Sequence, residues 1–186
     1  MNTWLRIYIC LIWATLLLTW CGSSVSWPVV TFESPLQIQI PEWYEEIAPW
    51  TVENKQIINK VLKAYKKISE DDEVGFQDNI IITKSEFAEP LDYDQFWTVN
   101  QRLMTNQLVW YQPGELERTS FECDWNRNSL LIVNFVVQSD ILQYFAQAQF
   151  VRNEIGYILS FASSDEDERD DAMKWLAEIN CGEIVE

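Results

Sequence analysis

Histidine is missing from this sequence altogether. That excludes the Ser-His and Cys-His nucleophile pairs and takes away the commonest nitrogen ligand of zinc and other transition metals. Cysteine is sparse, at positions 10, 21, 123 and 181 only. Basic residues are few: 13 Lys and Arg face 29 Asp and Glu, a net charge of −16. Such a surface repels phosphate backbones, so a nucleic-acid partner is not expected. A cationic partner or a metal ion such as calcium is compatible with the charge but not required by it. Glycine is also low. Five glycines stand beside ten tryptophans, whereas ordinary usage puts glycine alone at about 7% of residues.

What the chain does have begins with an apolar run from Leu5 to Trp20 that stops at Cys21. Arg6 gives it a weakly basic start. Ile7 to Trp20 has the length of a signal-peptide apolar region and falls short of the ~20 apolar residues of a membrane span. Gly22-Ser23-Ser24 follows as a flexible tether. Leu18-Thr19-Trp20-Cys21 resembles the bacterial lipobox, whose cysteine becomes the lipid-bearing first residue of the mature protein. The resemblance implies a signal peptide over 1–20, a lipid-anchored linker over 21–28 and a domain over 29–186. It places Cys21 on the cell membrane, with the domain on the extracytoplasmic side. An uncleaved anchor over Trp4 to Trp20 is the rival reading. Arg6 is the only charged residue before Cys21, so the mature part carries −17.

A lipobox has a small residue before its cysteine, and Trp20 departs from that. Trp20, Trp27 before Pro28, and Trp125 within Asp124-Trp125-Asn126 all occupy places where glycine is natural. UGA codons, which certain bacterial lineages read as glycine, would leave this pattern. A simply tryptophan-rich protein is the alternative.

The 166 residues from Cys21 onward suffice for one domain with a sizeable core. Val29 to Phe32 and Leu36 to Ile40 read as strands, the second alternating Leu36, Ile38 and Ile40 with glutamines between Pro35 and Pro41. Glu42 to Trp50 reads as a loop. Asn54 to Ser69 reads as a helix, with Ile57, Ile58, Val61, Leu62, Tyr65 and Ile68 as its apolar stripe. Lys55, Lys60, Lys63, Lys66 and Lys67 fall on or beside its polar face, either as a solvated surface or as a dock for anionic groups. Asn79 to Thr83 suits a buried strand. Asp92 to Val109 is a second helix, with Tyr93, Phe96, Val99 and Leu103 on one side. Gln112 to Glu115 is a turn.

Four close-spaced strands follow: Leu116 to Cys123, Ser129 to Val137, Leu142 to Val151 and Tyr157 to Ala162. Their short turns predict an antiparallel meander. Ser164 is expected to cap a last helix, Asp165 to Ile179, with Ala172, Met173, Leu176 and Ile179 facing inward. Strands and helices in this order give an α+β domain, an antiparallel sheet covered by helices.

Phe32 to Pro41 with Trp43, Gly75-Phe76-Gln77-Asp78-Asn79-Ile80-Ile81-Ile82-Thr83, and the paired strands of Tyr144 to Phe161 carry a resemblance to the PsbP-like family. That family is an α/β/α sandwich and includes DcrB-type envelope lipoproteins. The resemblance spans about 29–179 and rests on core and turn residues. It implies a binding or assembly factor with no shared active site, so the expectation is a protein that is not an enzyme.

Cys123 and Cys181 are the thiols left after Cys21. In an exported domain they either form a disulfide or stand as two buried free thiols. Asp165 to Glu168 with Asp170 and Asp171 could hold calcium but lack the glycine and terminal glutamate of an EF-hand loop; an acidic helix start is the simpler reading. Glu70 to Glu73 is a charged loop. Trp43, Tyr44, Trp50, Trp97, Trp110 and Tyr111 could line a small-molecule cleft or could be core. Carboxylates are plentiful, but nothing pairs two of them for hydrolysis. The reading that follows is a lipid-anchored binding or assembly factor for another envelope component, with a small-molecule or calcium-binding lipoprotein as the alternative.

Overall fold

The computed structural model describes residues 27–33, 35–48, 51–53, 57–68, 76–87, 89, 91–108, 110–124, 126–138 and 140–182. The expected signal segment, Cys21, the Glu70 to Glu73 run, Trp50 and Trp125 lie outside them. The described strands are β1 (Val29–Glu33), β2 (Leu36–Gln39), β3 (Tyr44–Ile47), β4 (Thr51–Glu53), β5 (Ile57–Lys67) and β6 (Asn79–Phe87). After them come α1 (Tyr93–Gln107), β7 (Tyr111–Cys123), β8 (Asn126–Gln138), β9 (Leu142–Arg152), β10 (Ile155–Ser163), α2 (Glu166–Leu176) and β11 (Asn180–Cys181).

Eight strands make one open antiparallel sheet in the order β3-β5-β6-β10-β9-β8-β7, with β4 also on β5. A small sheet, β1-β2-β11, lies apart from it. The last four strands of the large sheet are sequence neighbours, which is the meander that short turns dictate. β9 and β10 are joined by Asn153-Glu154, both at positive φ. That is the type I′ geometry whose twist suits a two-residue hairpin.

Alternation along the strands divides the core. Ile80 and Ile82, Ala146 and Ala148, and Leu159 and Phe161 face one side, where α2 and the small sheet add Ala172, Trp175, Leu176, Leu36 and Ile38. Leu131, Val133, Phe135 and Gln149 face the other, covered by α1 through Phe96 and Asn100. One helix therefore sits on each face. The fold is α+β, mostly antiparallel sheet.

Where the sequence predicts a helix over 54–69, the described residues from Ile57 to Lys67 form a strand instead. β5 pairs along β6 from Ile57 to Lys66, with a bulge between Val61 and Lys63. The bulge inserts Leu62 as an extra residue and resets the alternation, so adjacent Val61 and Leu62 both find apolar cover. Two apolar neighbours in a row, repeated three to four residues apart, look helical. Other differences are local. The expected turn at 112–115 is a bulge within β7, where the Asn134 side chain accepts the Glu115 amide hydrogen at 2.7 Å. The supposed loop of Glu42 to Trp50 contains β3. The helix cap is Asp165 rather than Ser164, its carboxylate accepting from the Asp167 amide at 2.8 Å. α2 ends at Leu176, so Ile179 is buried from the segment beyond it.

Candidate functional site

The described surface offers three places where side-chain chemistry is concentrated. One is the junction of the two sheets. Cys123, the last residue of β7, is disulfide-bonded to Cys181 in β11, at a sequence separation of 58 and with Cα atoms 5.3 Å apart. Cys181 pairs with Leu36 of β2, so the bridge fastens the small sheet to the end of the meander.

A second place is the start of α2. The Lys67 ammonium reaches Glu168 at 2.5 Å and Asp78 at 3.2 Å. Asp78 is buried and also accepts from the Ser164 amide, and Glu168 accepts from the Ser163 hydroxyl. Burial works against the Lys67 charge, but the bonds to Glu168 and Asp78 outweigh it and raise its pKa. Beside them the Tyr44 phenol is held far above its usual value, first by burial and then by the charges of Asp78 and Glu168. A similar knot lies under β1: the Tyr157 hydroxyl donates to Glu33 at 3.2 Å, and Lys84 reaches the same carboxylate at 3.2 Å. Both knots tie strands together and leave no group free for acid–base work.

The third is a cleft of about 420 Å³ between the start of α1 and strands β7 and β8. Asp92, Tyr93, Asp94, Arg118, Thr119 and Ser129 line it. Asp92 is fixed by a capping box with Gln95, at 2.8 and 2.9 Å. The Arg118 guanidinium lies 5.6 Å from the Tyr93 ring centre and 3.4 Å from Asp94. The Tyr93 hydroxyl is buried without a hydrogen-bond partner, and burial raises its pKa. The cleft can hold a small polar group. It contains no nucleophile paired with a base.

Of the lysines read as one helical face, Lys60, Lys63, Lys66 and Lys67 lie along β5, Lys55 lies outside the described residues, and the last three of β5 are paired with acids. Lys63 meets Glu46 at 2.6 Å and Lys66 meets Glu45 at 2.7 Å. Five of the six acids at 165–171 are likewise engaged: Asp165 caps, Glu166 and Asp170 hold Arg169, Glu168 holds Lys67, and Asp171 holds Lys174. Among the described residues no group of three or more His, Cys, Asp or Glu is arranged to hold a metal ion. Of the aromatics weighed as cleft or core, Tyr44 and Tyr111 lie on opposite faces of the sheet, and Trp50 lies outside the described residues. Tyr44 packs against Phe161 on the α2 face, Tyr111 against Phe135 on the α1 face, and Trp43 and Trp110 are exposed. Sequence reasoning missed the Tyr93–Arg118 pair, because nothing in the spacing brings α1 to β7.

No family model matches the chain, and no curated protein sequence is similar to it. The chain is similar to solved structures. One is LpqN of Mycobacterium tuberculosis, described as involved in cell envelope biogenesis: TM-score 0.52, 14% identity, covering 84% of this chain and 90% of that one. Another is PA94 of Pseudomonas aeruginosa, a protein of unknown function, with TM-score 0.46 and 10% identity over 79% of this chain and 90% of that one. Among the described residues no helix is long and apolar enough to cross a membrane.

Proposed function

We propose that this chain is a lipid-anchored, extracytoplasmic domain of PsbP-like fold that serves as a non-catalytic binding or assembly factor for another component of the cell envelope. The observation that carries the reading is the Cys123–Cys181 bridge. Disulfides persist in oxidising compartments and are rare in the cytosol, so a structural bridge favours an exported chain. Leu18-Thr19-Trp20-Cys21 and the Gly-Ser tether supply the matching export and anchoring signal. A lipoprotein cysteine carries more than one acyl chain, which meets the two-signal requirement for stable anchoring. The likeness to an envelope-biogenesis protein supports the same setting.

The chemistry of the surface fits binding rather than turnover. Lys67, Asp78, Glu168, Lys84 and Glu33 are engaged in strand-tying knots, and the net charge of the chain is strongly negative. A partner surface bearing cations is the natural complement.

The test uses the protein in its native cells. Membrane fractionation, mass spectrometry of the N-terminal peptide, and crosslinking in intact membranes are run together. The expected result is an acylated Cys21 in the membrane fraction and a crosslinked envelope protein. A cytosolic protein with a bare Cys21 overturns the anchoring. A membrane protein that crosslinks to nothing overturns the assembly role.

A further inference from the structure

Trp110, at the entry to β7, has φ +57° and is 72% exposed. Among the described residues no ring contact or hydrogen bond engages its indole. The left-handed region is native to glycine, tolerated by asparagine and aspartate, and an outlier for a bulky side chain. Tryptophan is therefore an outlier for this backbone, and most of its side chain is in solvent. Position 125 is a second candidate from the sequence: it falls in Asp124-Trp125-Asn126, between the paired residues Cys123 and Asn126, and Asp124 before it has φ +50°. The sister hairpin at Asn153-Glu154 has positive φ at both positions, which shows that this sheet closes such loops in type I′ form. Asp-Gly is among the strongest sequences for that turn. Position 154 is filled by glutamate, so the geometry alone does not force glycine; at 110 the left-handed geometry coincides with tryptophan, and at 125 tryptophan follows Asp in a sequence that suits Asp-Gly.

Not every tryptophan is out of place. Trp175 is buried against Phe161, ring centres 6.3 Å apart, and the core needs its volume. Trp27 and Trp43 meet edge to face at 5.6 Å.

We propose that positions 110 and 125 carry glycine in the cell, inserted at UGA codons, and that the same decoding puts glycine at position 20 and completes the lipidation sequence ending at Cys21. Leu-Thr-Gly-Cys has the small residue that Leu-Thr-Trp-Cys lacks. The part at position 20 rests on the lipid-anchor reading; the parts at 110 and 125 do not. Ten tryptophans and five glycines would become seven and eight, nearer ordinary usage.

The codons and the tryptic peptides of the protein from its own cells decide. Peptides 103–118 and 119–127 are expected to be lighter, each by the difference between one tryptophan and one glycine, while 175–186 keeps its tryptophan. UGA is expected at 20, 110 and 125, and UGG at 175. UGG at 110, with a full-weight peptide, overturns the proposal. Acylation of Cys21 is read on a separate peptide, so a bare cysteine with glycine at 110 defeats the anchor alone. A purified all-tryptophan protein gives an independent check: Trp110→Gly should raise the melting temperature by about 2–4 °C. A fall would overturn the conformational argument.

Discussion

The Phe96 ring occupies the space where a β-carbon on Gly156 would stand, its Cε2 atom only 2.1 Å from that point. Gly156 is buried in β10, and the contact seats α1 on the sheet. Gly156→Ala should cost about 1–3 kcal/mol, the range for overpacking a filled core. Phe96→Ala alone leaves a cavity and is also destabilising. The double variant should lose less than the sum, because the cavity receives the new methyl group. Denaturant midpoints of the four proteins test this; strict additivity would contradict the contact.

Reduction of the Cys123–Cys181 bridge frees a loop of 58 residues. The loop-entropy relation puts the loss near ~4 kcal/mol. The reduced protein, or Cys181→Ser, should unfold at markedly lower denaturant than the oxidised one. An unchanged midpoint would show that the small sheet holds β11 without the bond.

Lys67 supplies the cation for two carboxylates, one of them buried. Lys67→Met keeps the stem and removes the charge, leaving Asp78 buried without its counter-ion. A loss of about 1–3 kcal/mol is expected, the scale for a stranded buried polar group. Adding Asp78→Asn should recover part of it. Thermal melts of the single and double variants provide the check.

Stability should fall on the alkaline side. Burial pushes Tyr65 up to about 12 and holds Tyr157 and Tyr44 higher still, against an unfolded value near 10. The hydrogen bonds to Glu168 and Asp78 raise Lys67 as well, against its burial. Each group keeps its proton longer in the folded state than in the unfolded one. Their stabilisation is therefore complete below pH ~10 and is lost as pH climbs from there through the folded values. Urea midpoints from pH 8 to 12 should be flat at first and then decline. A midpoint still flat at pH 12 would contradict the burial of these phenols.

The parts of the fold legible from sequence are those with a clean period. β6, α1 and the meander combine strong alternation or a helical stripe with plain turns. β5 was illegible because one inserted residue, Leu62, erased the alternation on which a strand assignment depends. β11 has two residues and no pattern of its own; it exists because β2 offers an edge and Cys123 offers a sulfur. Ser164 and Asp165 are both good caps, and tertiary bonding decides between them: Asp78 takes the Ser164 amide, and Asp165 is left to turn onto Asp167. Of the candidate sites, the cysteine pair could be named from sequence because thiols are few. The knot of Lys67, Asp78 and Glu168 could not. Its members are as much as 101 residues apart, and only the crossing of β5, β6 and α2 brings them together.

The small sheet has its own bearing on how the chain is made. β1 and β2 open the described domain, and the strand that completes them, β11, comes near its far end. The first-made strands must wait for the last-made one, and such distant pairings form slowly. A chain travelling through a narrow translocation channel has to stay loose until it is through. If this chain is exported as proposed, the closing stitch waits until Asn180 and Cys181 have followed β1 to β10 across.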